Sequence, residues 1–221
     1  MPANTDNSSL IETALKSALD LARDRSWNKL TLIEIAENAD ISMTDLYGIA
    51  DKDDLTDALE SWADKTMSGE DIDMDGTPRE RLFDVIMRRF EAMEDYRAGV
   101  LALMRARDRA PARLAALLKA RGKSARWALS CAGLDQGPGA ERSAKTLGIA
   151  WAIGKTERAW RKDGAGDFAR TMATLDAELT LAEDRYGALQ RFRTSNRASP
   201  PQAKPEETSS PEAPQAETDE A

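Results

Sequence analysis

The side chains best placed to contact a ligand lie in one short segment. They are the hydroxyl groups of Ser42, Thr44 and Tyr47 and the ammonium group of Lys52. Hydroxyl and amino groups near helix starts are typical donors to phosphate oxygens in nucleic-acid complexes. The alternative is structural, with Ser42 only capping a helix and Tyr47 only closing a small core. The residue types leave both interpretations open.

Residue types that carry catalysis are scarce in this chain. There is no histidine, which removes the commonest general base and the commonest metal ligand. Glu34 and Glu37 match a solvated helix face better than an acid–base pair, and no glycine-rich phosphate loop or nucleophile elbow is present. Cys131, the one cysteine, is expected as a small buried residue rather than a reactive thiol. The sequence therefore predicts a protein that is not an enzyme and needs no cofactor or metal.

Residues 31–55 contain the elements that would position the polar side chains. Thr31 can cap a helix whose inward positions recur at helical spacing, at Leu32, Ile35, Ala36 and Ala39. The chain must then turn sharply at Asp40, a residue type that tolerates the left-handed conformation. Ser42 can cap a second short helix that ends near Tyr47. Two short helices joined by a tight turn form the helix-turn-helix pattern.

This segment resembles the amino-terminal domain of TetR-type transcriptional regulators. The resemblance rests on Thr31, Ile35, Ala36, Ala39, Ile41, Ser42, Leu46, Tyr47, Lys52 and Leu55. The chain departs from the family pattern at Asp40, where glycine is usual, and at Ala50, where an aromatic residue is usual. The stretch from Tyr47 to Leu55 is also one residue shorter. The resemblance implies that double-stranded DNA is bound through Thr31, Ser42, Met43, Thr44, Tyr47 and Lys52.

The rest of the chain has helical periodicity and no useful stretch that alternates with period two, so the sequence predicts an all-α fold. Helices are expected over residues 9–25, 52–66, 78–95, 97–109, 112–132, 140–162 and 167–189. We expect a disordered leader (1–8), a helix-turn-helix head (9–66), a linker (67–77), a helical body (78–190) and a tail (191–221). The tail is rich in Pro, Ser, Glu and Ala and is expected to be disordered.

Targeting signals are not evident. No apolar run approaches the roughly 18 residues that a membrane-spanning helix needs. Residues 1–10 are polar, unlike a secretory signal. With a single cysteine and no such signals, the sequence predicts a cytoplasmic protein without a transmembrane segment.

Charge divides the head from the body. Residues 1–66 hold six basic and fourteen acidic residues, and within 31–60 the only basic residue is Lys52. Residues 78–134 hold thirteen basic and six acidic residues. An acidic head opposes phosphate contacts, which supply much of DNA affinity. The basic stretch is interpreted either as a solvated surface or as a patch for an acidic partner, an anionic effector, a membrane surface or the protein's own acidic parts.

The body is expected to bind a small apolar ligand, as the TetR resemblance implies. Bulky flexible and aromatic side chains could line its cavity: Met87, Phe90, Met93, Tyr96, Met104, Trp127 and Trp151. The alternative is that these residues form ordinary core. The resemblance also implies a homodimer through residues 140–162 and 167–189, whose apolar stripes could instead close the core of one chain.

Two functions remain open from the sequence. The first is a TetR-type transcriptional regulator that binds DNA through the head and senses a ligand in the body. The second is a protein of the same fold that has lost DNA binding and binds a lipid, an isoprenoid or a protein partner. A lipid-binding accessory protein of ubiquinone biosynthesis is a member of this second kind, and residues 81–97 are similar to TetR-like proteins near it. The helix-turn-helix spacing favours the first function, and the acidic head favours the second.

Overall fold

The computed structural model describes residues 3–69, 72–110, 112 and 114–198. Within these ranges the chain forms nine α-helices and one 3₁₀ turn, Trp27–Lys29, and no strand, which confirms the predicted all-α class. The helices are α1 Ala3–Leu21, α2 Leu32–Asn38, α3 Met43–Leu46, α4 Lys52–Lys65, α5 Pro78–Glu94, α6 Arg97–Asp108, α7 Leu114–Cys131, α8 Gly139–Trp160 and α9 Ala169–Ala198.

Three helices begin at capping boxes, in which the first and fourth residues each donate a backbone N–H to the side chain of the other. Thr31 and Glu34 form the box of α2, Asp51 and Asp54 that of α4, and Thr77 and Glu80 that of α5. In the α2 box the Thr31 N–H donates to Glu34 Oε2 at 2.8 Å. These local hydrogen bonds explain why the starts of these helices could be predicted within a residue.

Three predicted boundaries differ from the structure by more than two residues. Helix α1 ends at Leu21 and not at residue 25. Helix α1 begins at Ala3, inside the segment 1–8 that was expected to be disordered. Helix α9 continues to Ala198, past residue 190, where the tail was expected to begin. Extending an existing helix by a residue is much easier than nucleating one, so polar composition does not by itself end a helix. The remainder of the predicted tail, residues 199–221, lies outside the described residues.

The head and the body share one hydrophobic core. Leu15 of α1 and Leu59 of α4 belong to the same buried cluster as Phe90 and Leu103 of the body. Met67, at the start of the predicted linker, is also completely buried in this cluster. Helix α1 packs against α6, and α4 packs against α5 and α7. The predicted division between head and body therefore does not separate two hydrophobic cores.

The crossing of α1 and α6 depends on Gly99. A Cβ atom at this position would lie 2.0 Å from the carbonyl oxygen of Leu19, far closer than non-bonded atoms approach. Only glycine allows the two helix backbones to come this near. This contact fixes the first helix of the head directly on the body.

Helix α8 packs against both α7 and α9. The predicted apolar stripe of α8 is buried within the single chain, at Ile149, Ile153, Thr156 and Trp160. Two residues of the stripe on α9 are also buried, Leu175 and Leu179. These side chains close the core of one chain, as the alternative interpretation of the stripes proposed. None of the helices in the described ranges is both long and apolar enough to cross a membrane.

Candidate functional site

Two short helices, α2 and α3, flank the turn at Asp40, and the second of them is very short. Asp40 adopts the left-handed conformation, with φ of 54°, in the turn between α2 and α3. Ser42 caps α3: its Oγ accepts from the Asp45 N–H at 3.0 Å and donates to Asp45 Oδ2 at 2.8 Å. Helix α3 has only four residues. It therefore presents about one turn, and one of its residues is the aspartate that the capping serine holds.

The side chains predicted to contact DNA are exposed, with the exception of Lys52. Tyr47 is 88% exposed, so it does not close the small core; Leu46 takes that place. Met43 and Thr44 are also exposed, while Thr31 and Ser42 serve as helix caps. Tyr47, Thr44 and Met43 thus offer a phenol, a hydroxyl and a thioether, and α3 itself contains no basic residue.

Lys52 makes contacts inside the head. Its Nζ donates to the carbonyl oxygens of Trp27 at 2.6 Å and Leu30 at 2.5 Å. The ammonium group also lies 5.5 Å from the centre of the Trp27 ring. Partial burial lowers the pKa of Lys52, although nearby Asp53 and Glu34 act in the opposite direction. A phosphate contact from Lys52 would require it to leave these partners.

Most of the predicted pocket residues lie in the closed core. Met87, Phe90, Met93 and Met104 are buried members of the shared core cluster, which favours the alternative of ordinary core for these four. Tyr96 is half-buried and stacks edge-on against Trp62, with ring centres 5.7 Å apart. Trp127 is exposed on α7. Of the seven residues, Trp151 lines the groove described next.

A groove of about 1150 Å³ lies between α7 and α8 and reaches the end of α6. Four large apolar side chains stand exposed in it: Leu114 and Leu118 of α7, and Leu147 and Trp151 of α8. Leu147 is 73% and Trp151 is 54% exposed. An apolar surface of this kind on facing helices is a typical ligand or partner site.

Basic side chains outnumber acidic ones around this groove. It is lined by eight basic residues, Arg107, Arg121, Arg126, Arg142, Lys145, Lys155, Arg158 and Arg161. Three acidic residues also line it, Asp108, Asp135 and Glu157. Two of these acids form ion pairs with arginines of the groove. Asp108 pairs with Arg161, and Glu157 pairs with Arg107, Arg121 and Arg161. The groove therefore combines an apolar floor with an excess of positive charge.

A buried network of charges joins the head to the body behind the groove. Arg89 of α5 is completely buried and pairs with Glu60 and Asp64 of α4. Ser124 of α7 donates to Asp64 Oδ2 at 2.8 Å. The acidic head is thus held in part by a basic residue of the body, one of the interpretations left open for the basic stretch 78–134.

The same network continues to the wall of the groove. Arg107 donates to Glu60 Oε1 at 2.7 Å and to Glu157 Oε1 at 3.3 Å. Arg121 pairs with Glu157 and lies 3.6 Å from Glu60 Oε1. Arg161 donates to Glu157 Oε1 at 2.6 Å. Glu157 therefore receives three guanidinium groups, all of which line the groove.

The pKa shifts follow from burial and from the arginines. Burial would raise the pKa of Glu60, but Arg121, Arg89 and Arg107 hold it well below its usual range. Burial raises the pKa of Asp64 more than Arg89 and Ser124 lower it. The pKa of Arg121 is lowered to about 10, mainly by burial. Glu60 acts to raise this pKa, and the neighbouring arginines act to lower it further. Positive charge is therefore crowded around Arg121.

Glu60 and Asp64 were not among the residues selected from the sequence. Their signal was present, because both lie at helical spacing from Thr56 on the face of α4 that packs on the body. A charged residue on a buried helix face calls for a partner of opposite charge. The partner Arg89 lies 25 residues from Asp64 in the chain, and spacing alone could not select it from the other arginines.

The chain matches no family model, no curated protein and no solved structure. Its function is therefore inferred from the groove and the head themselves.

Proposed function

We propose that this protein binds a small apolar or amphiphilic molecule, of lipid or isoprenoid type, in the groove between α7 and α8. The observation that carries the proposal is the set of four large apolar side chains that face this groove and remain exposed, Leu114, Leu118, Leu147 and Trp151. The TetR resemblance of the head, followed by a larger helical body, supports the same layout of a ligand-binding body.

Covering these side chains supplies useful affinity. Each buried methylene contributes about 0.8 kcal/mol, so a chain of about ten methylenes gains about 4 kcal/mol if half covered and about 8 kcal/mol if fully covered. Taken alone, these gains would correspond to dissociation constants of about 1 mM and about 1 μM, and the entropic cost of association weakens both. A groove of about 1150 Å³ has room for a ligand of this size.

The head supports a ligand-binding protein better than a DNA-binding one. Helix α3 has four residues, including Asp45. The basic residue nearest to it along the chain, Lys52, donates to the carbonyl oxygens of Trp27 and Leu30. Phosphate contacts need exposed positive charge. We infer that the helix-turn-helix closes the small core of the head, where Ile35, Ala36 and Leu46 are buried, and does not recognise DNA.

The binding test uses dodecanol as an uncharged probe, followed by calorimetry and by tryptophan fluorescence. We expect saturable binding, and about a tenfold loss of affinity in Leu118→Ser because an anchoring apolar contact is removed. The matched control is Leu181→Ser, which changes an exposed leucine of α9 that does not line the groove. Absence of binding, or an equal loss in both variants, would exclude the groove as the site.

A transcriptional regulator is the second candidate function. The left-handed turn at Asp40 and the exposure of Thr44 and Tyr47 favour it. Titration of duplex DNA from the upstream region of its own gene, over a range of salt concentrations, decides between the two. Tight sequence-dependent binding that weakens in Tyr47→Phe and Lys52→Ala would establish this second function. No binding at low salt would leave the ligand-binding function.

The homodimer through residues 140–162 and 167–189 remains a prediction. Much of both apolar stripes is used within one chain, so a dimer through these helices would rest on the exposed residues Leu147, Trp151, Met172 and Leu181. Light scattering of the wild-type protein and of Met172→Ser with Leu181→Ser tests this prediction. A dimer that dissociates in the double variant would support the interface.

A further inference from the structure

We propose that the ligand of the groove is an anionic amphiphile, whose headgroup binds beside Arg121 and Arg161 while its chain lies over Trp151 and Leu147. This inference rests on the proposed ligand-binding function. It adds the chemical class of the ligand, a long-chain carboxylate or phosphate ester, and the direction in which the ligand lies.

The first observation is a set of unsatisfied buried donors. Nη1 of Arg121, Nε of Arg107 and Nε of Arg161 are buried and have no hydrogen-bond acceptor among the described residues, whereas a single buried acceptor beside them, Oε2 of Glu157, has no hydrogen-bond donor. Arg121 as a whole is only 7% exposed, and all three arginines line the groove. A buried N–H without an acceptor destabilises a protein, so such groups usually have a partner. An oxyanion at the end of the groove would supply acceptors of the kind that guanidinium groups bind best.

The second observation is the local charge. Arg107, Arg121 and Arg161 all meet at the carboxylate of Glu157, and their other acidic partners are Glu60 and Asp108. Arg158, the next residue of α8, is exposed, lines the groove and has no ion pair within the described part of the chain. A second anion next to Glu157 would therefore be surrounded by more positive than negative groups. The lowered pKa of Arg121, which reflects its burial and its arginine neighbours, agrees with this placement.

The third observation is the order of side chains along α8. Leu147 and Arg161 are fourteen residues apart, which corresponds to about 21 Å of helix. Trp151 lies between them on the groove wall, and Gly154 leaves open space in front of the helix, because a Cβ there would meet no atom within 4 Å. A ligand held by its headgroup at Arg161 would extend past Gly154 and Trp151 towards Leu147. Apolar contacts and charge are thus separated along one axis, as in an amphiphile.

The opposite end of the groove offers a weaker anion site. Lys145 there pairs with Glu141 at 3.0 Å and lies 5.0 Å from the centre of the Tyr186 ring. Arg142 is exposed and has no buried donor without an acceptor. Arg142 is therefore a suitable control position, since it is also a groove-lining arginine of α8.

The experiment compares dodecanoate with dodecanol, two ligands with the same chain and different headgroups, and includes acetate as the headgroup without the chain. We expect wild-type protein to bind dodecanoate about tenfold or more tightly than dodecanol, because hydrogen bonds to charged groups are the stronger kind. Acetate should bind far more weakly than either. The preference for dodecanoate should disappear in Arg121→Gln and Arg161→Gln and persist in Arg142→Gln.

The outcomes separate this inference from the function on which it rests. Equal binding of dodecanoate and dodecanol would overturn the headgroup assignment and leave the apolar groove in place, whereas no binding of either would overturn both. Acetate binding as tightly as dodecanoate would indicate a site for a small anion and not for an amphiphile. If Arg121→Gln does not fold, Arg161→Gln carries the test, since its side chain is partly exposed. A preference that survives Arg161→Gln, or is lost equally in Arg142→Gln, would contradict the placement.

Discussion

The surface of the helix-turn-helix and the groove between α7 and α8 both expose large apolar side chains, but they differ in charge. Tyr47 and Met43 lie in the acidic segment 31–60, whose one basic residue, Lys52, donates to carbonyl oxygens of the head. Leu147 and Trp151 stand among arginines. The apolar side chains of the head therefore suit a cationic partner, whereas those of the groove suit an anionic one. Phosphate or carboxylate groups are expected only at the groove.

Buried ion pairs connect the head to the body. Glu60 and Asp64 belong to the acidic head, and Arg89 and Arg107 belong to the basic body. These residues meet in the interior, so part of the charge asymmetry seen in the sequence holds the molecule together. The remaining asymmetry is on the surface. A charge count of a segment cannot distinguish these two uses.

The largest expected effect comes from breaking the buried connection. Arg89→Met should lower the free energy of unfolding by about 3–5 kcal/mol, because Glu60 and Asp64 would lose their fully buried partner. Urea unfolding followed by circular dichroism measures the change. Arg126→Met, at an exposed arginine of α7, should change it by no more than about 0.5 kcal/mol. Equal effects would show that the network does not hold the head to the body.

A smaller effect on stability is expected at the contact between α1 of the head and α6 of the body, which involves no charges. Gly99→Ala would place a Cβ 2.0 Å from the Leu19 carbonyl oxygen, and the resulting displacement of α1 should reduce stability by about 1–3 kcal/mol. Gly154→Ala is the control, because its Cβ would meet nothing within 4 Å and alanine favours a helix by about 1 kcal/mol over glycine. Opposite signs for the two variants in thermal unfolding are expected. A stabilising Gly99→Ala would contradict the close crossing.

The contrast between the two apolar surfaces can be measured directly. Trp151→Ala should weaken dodecanoate binding by about tenfold, as expected for a central aromatic contact. Tyr47→Ala, which removes an even more exposed aromatic residue, should leave dodecanoate binding unchanged. Calorimetric titration of both variants makes the comparison. Loss of binding in Tyr47→Ala would place the ligand at the head and reverse the assignment.

The smallest expected effect is a loss of stability at acid pH, to which one carboxylate of the head and one of the body contribute. Backbone and side-chain donors lower the pKa of Glu34 in the head to about 2, and Tyr186 and Lys145 lower that of Glu141 in the body to about 2. Because both values lie below the unfolded value of 4.5, the stabilisation is complete above pH 4.5 and is lost as the pH falls towards 2. Glu34→Gln and Glu141→Gln should each flatten the fall of unfolding free energy over this range. An unchanged profile in either variant would show that its carboxylate has no such partners in the folded protein.

The local features of the fold could be predicted because they depend on neighbouring residues. The pairs Thr31 with Glu34 and Thr77 with Glu80 lie three residues apart, and each starts a helix through its own hydrogen bonds. The turn at Asp40 follows from the few residue types that adopt positive φ. The methionines 87, 93 and 104 were harder to place, because an apolar stripe has the same spacing whether it lines a cavity or fills a core.

The sequence by itself determined the helices, their caps and the acidic and basic halves of this protein, since helical spacing and charge are properties of short segments. Only the tertiary structure decided that Lys52 donates to carbonyl groups, that Arg89 meets Glu60 and Asp64, and that Leu147 and Trp151 remain uncovered. These outcomes depend on which helices pack together and how closely. Burial then decides whether a charge is presented to a ligand or neutralised inside the protein, because an unpaired charge is too costly to bury.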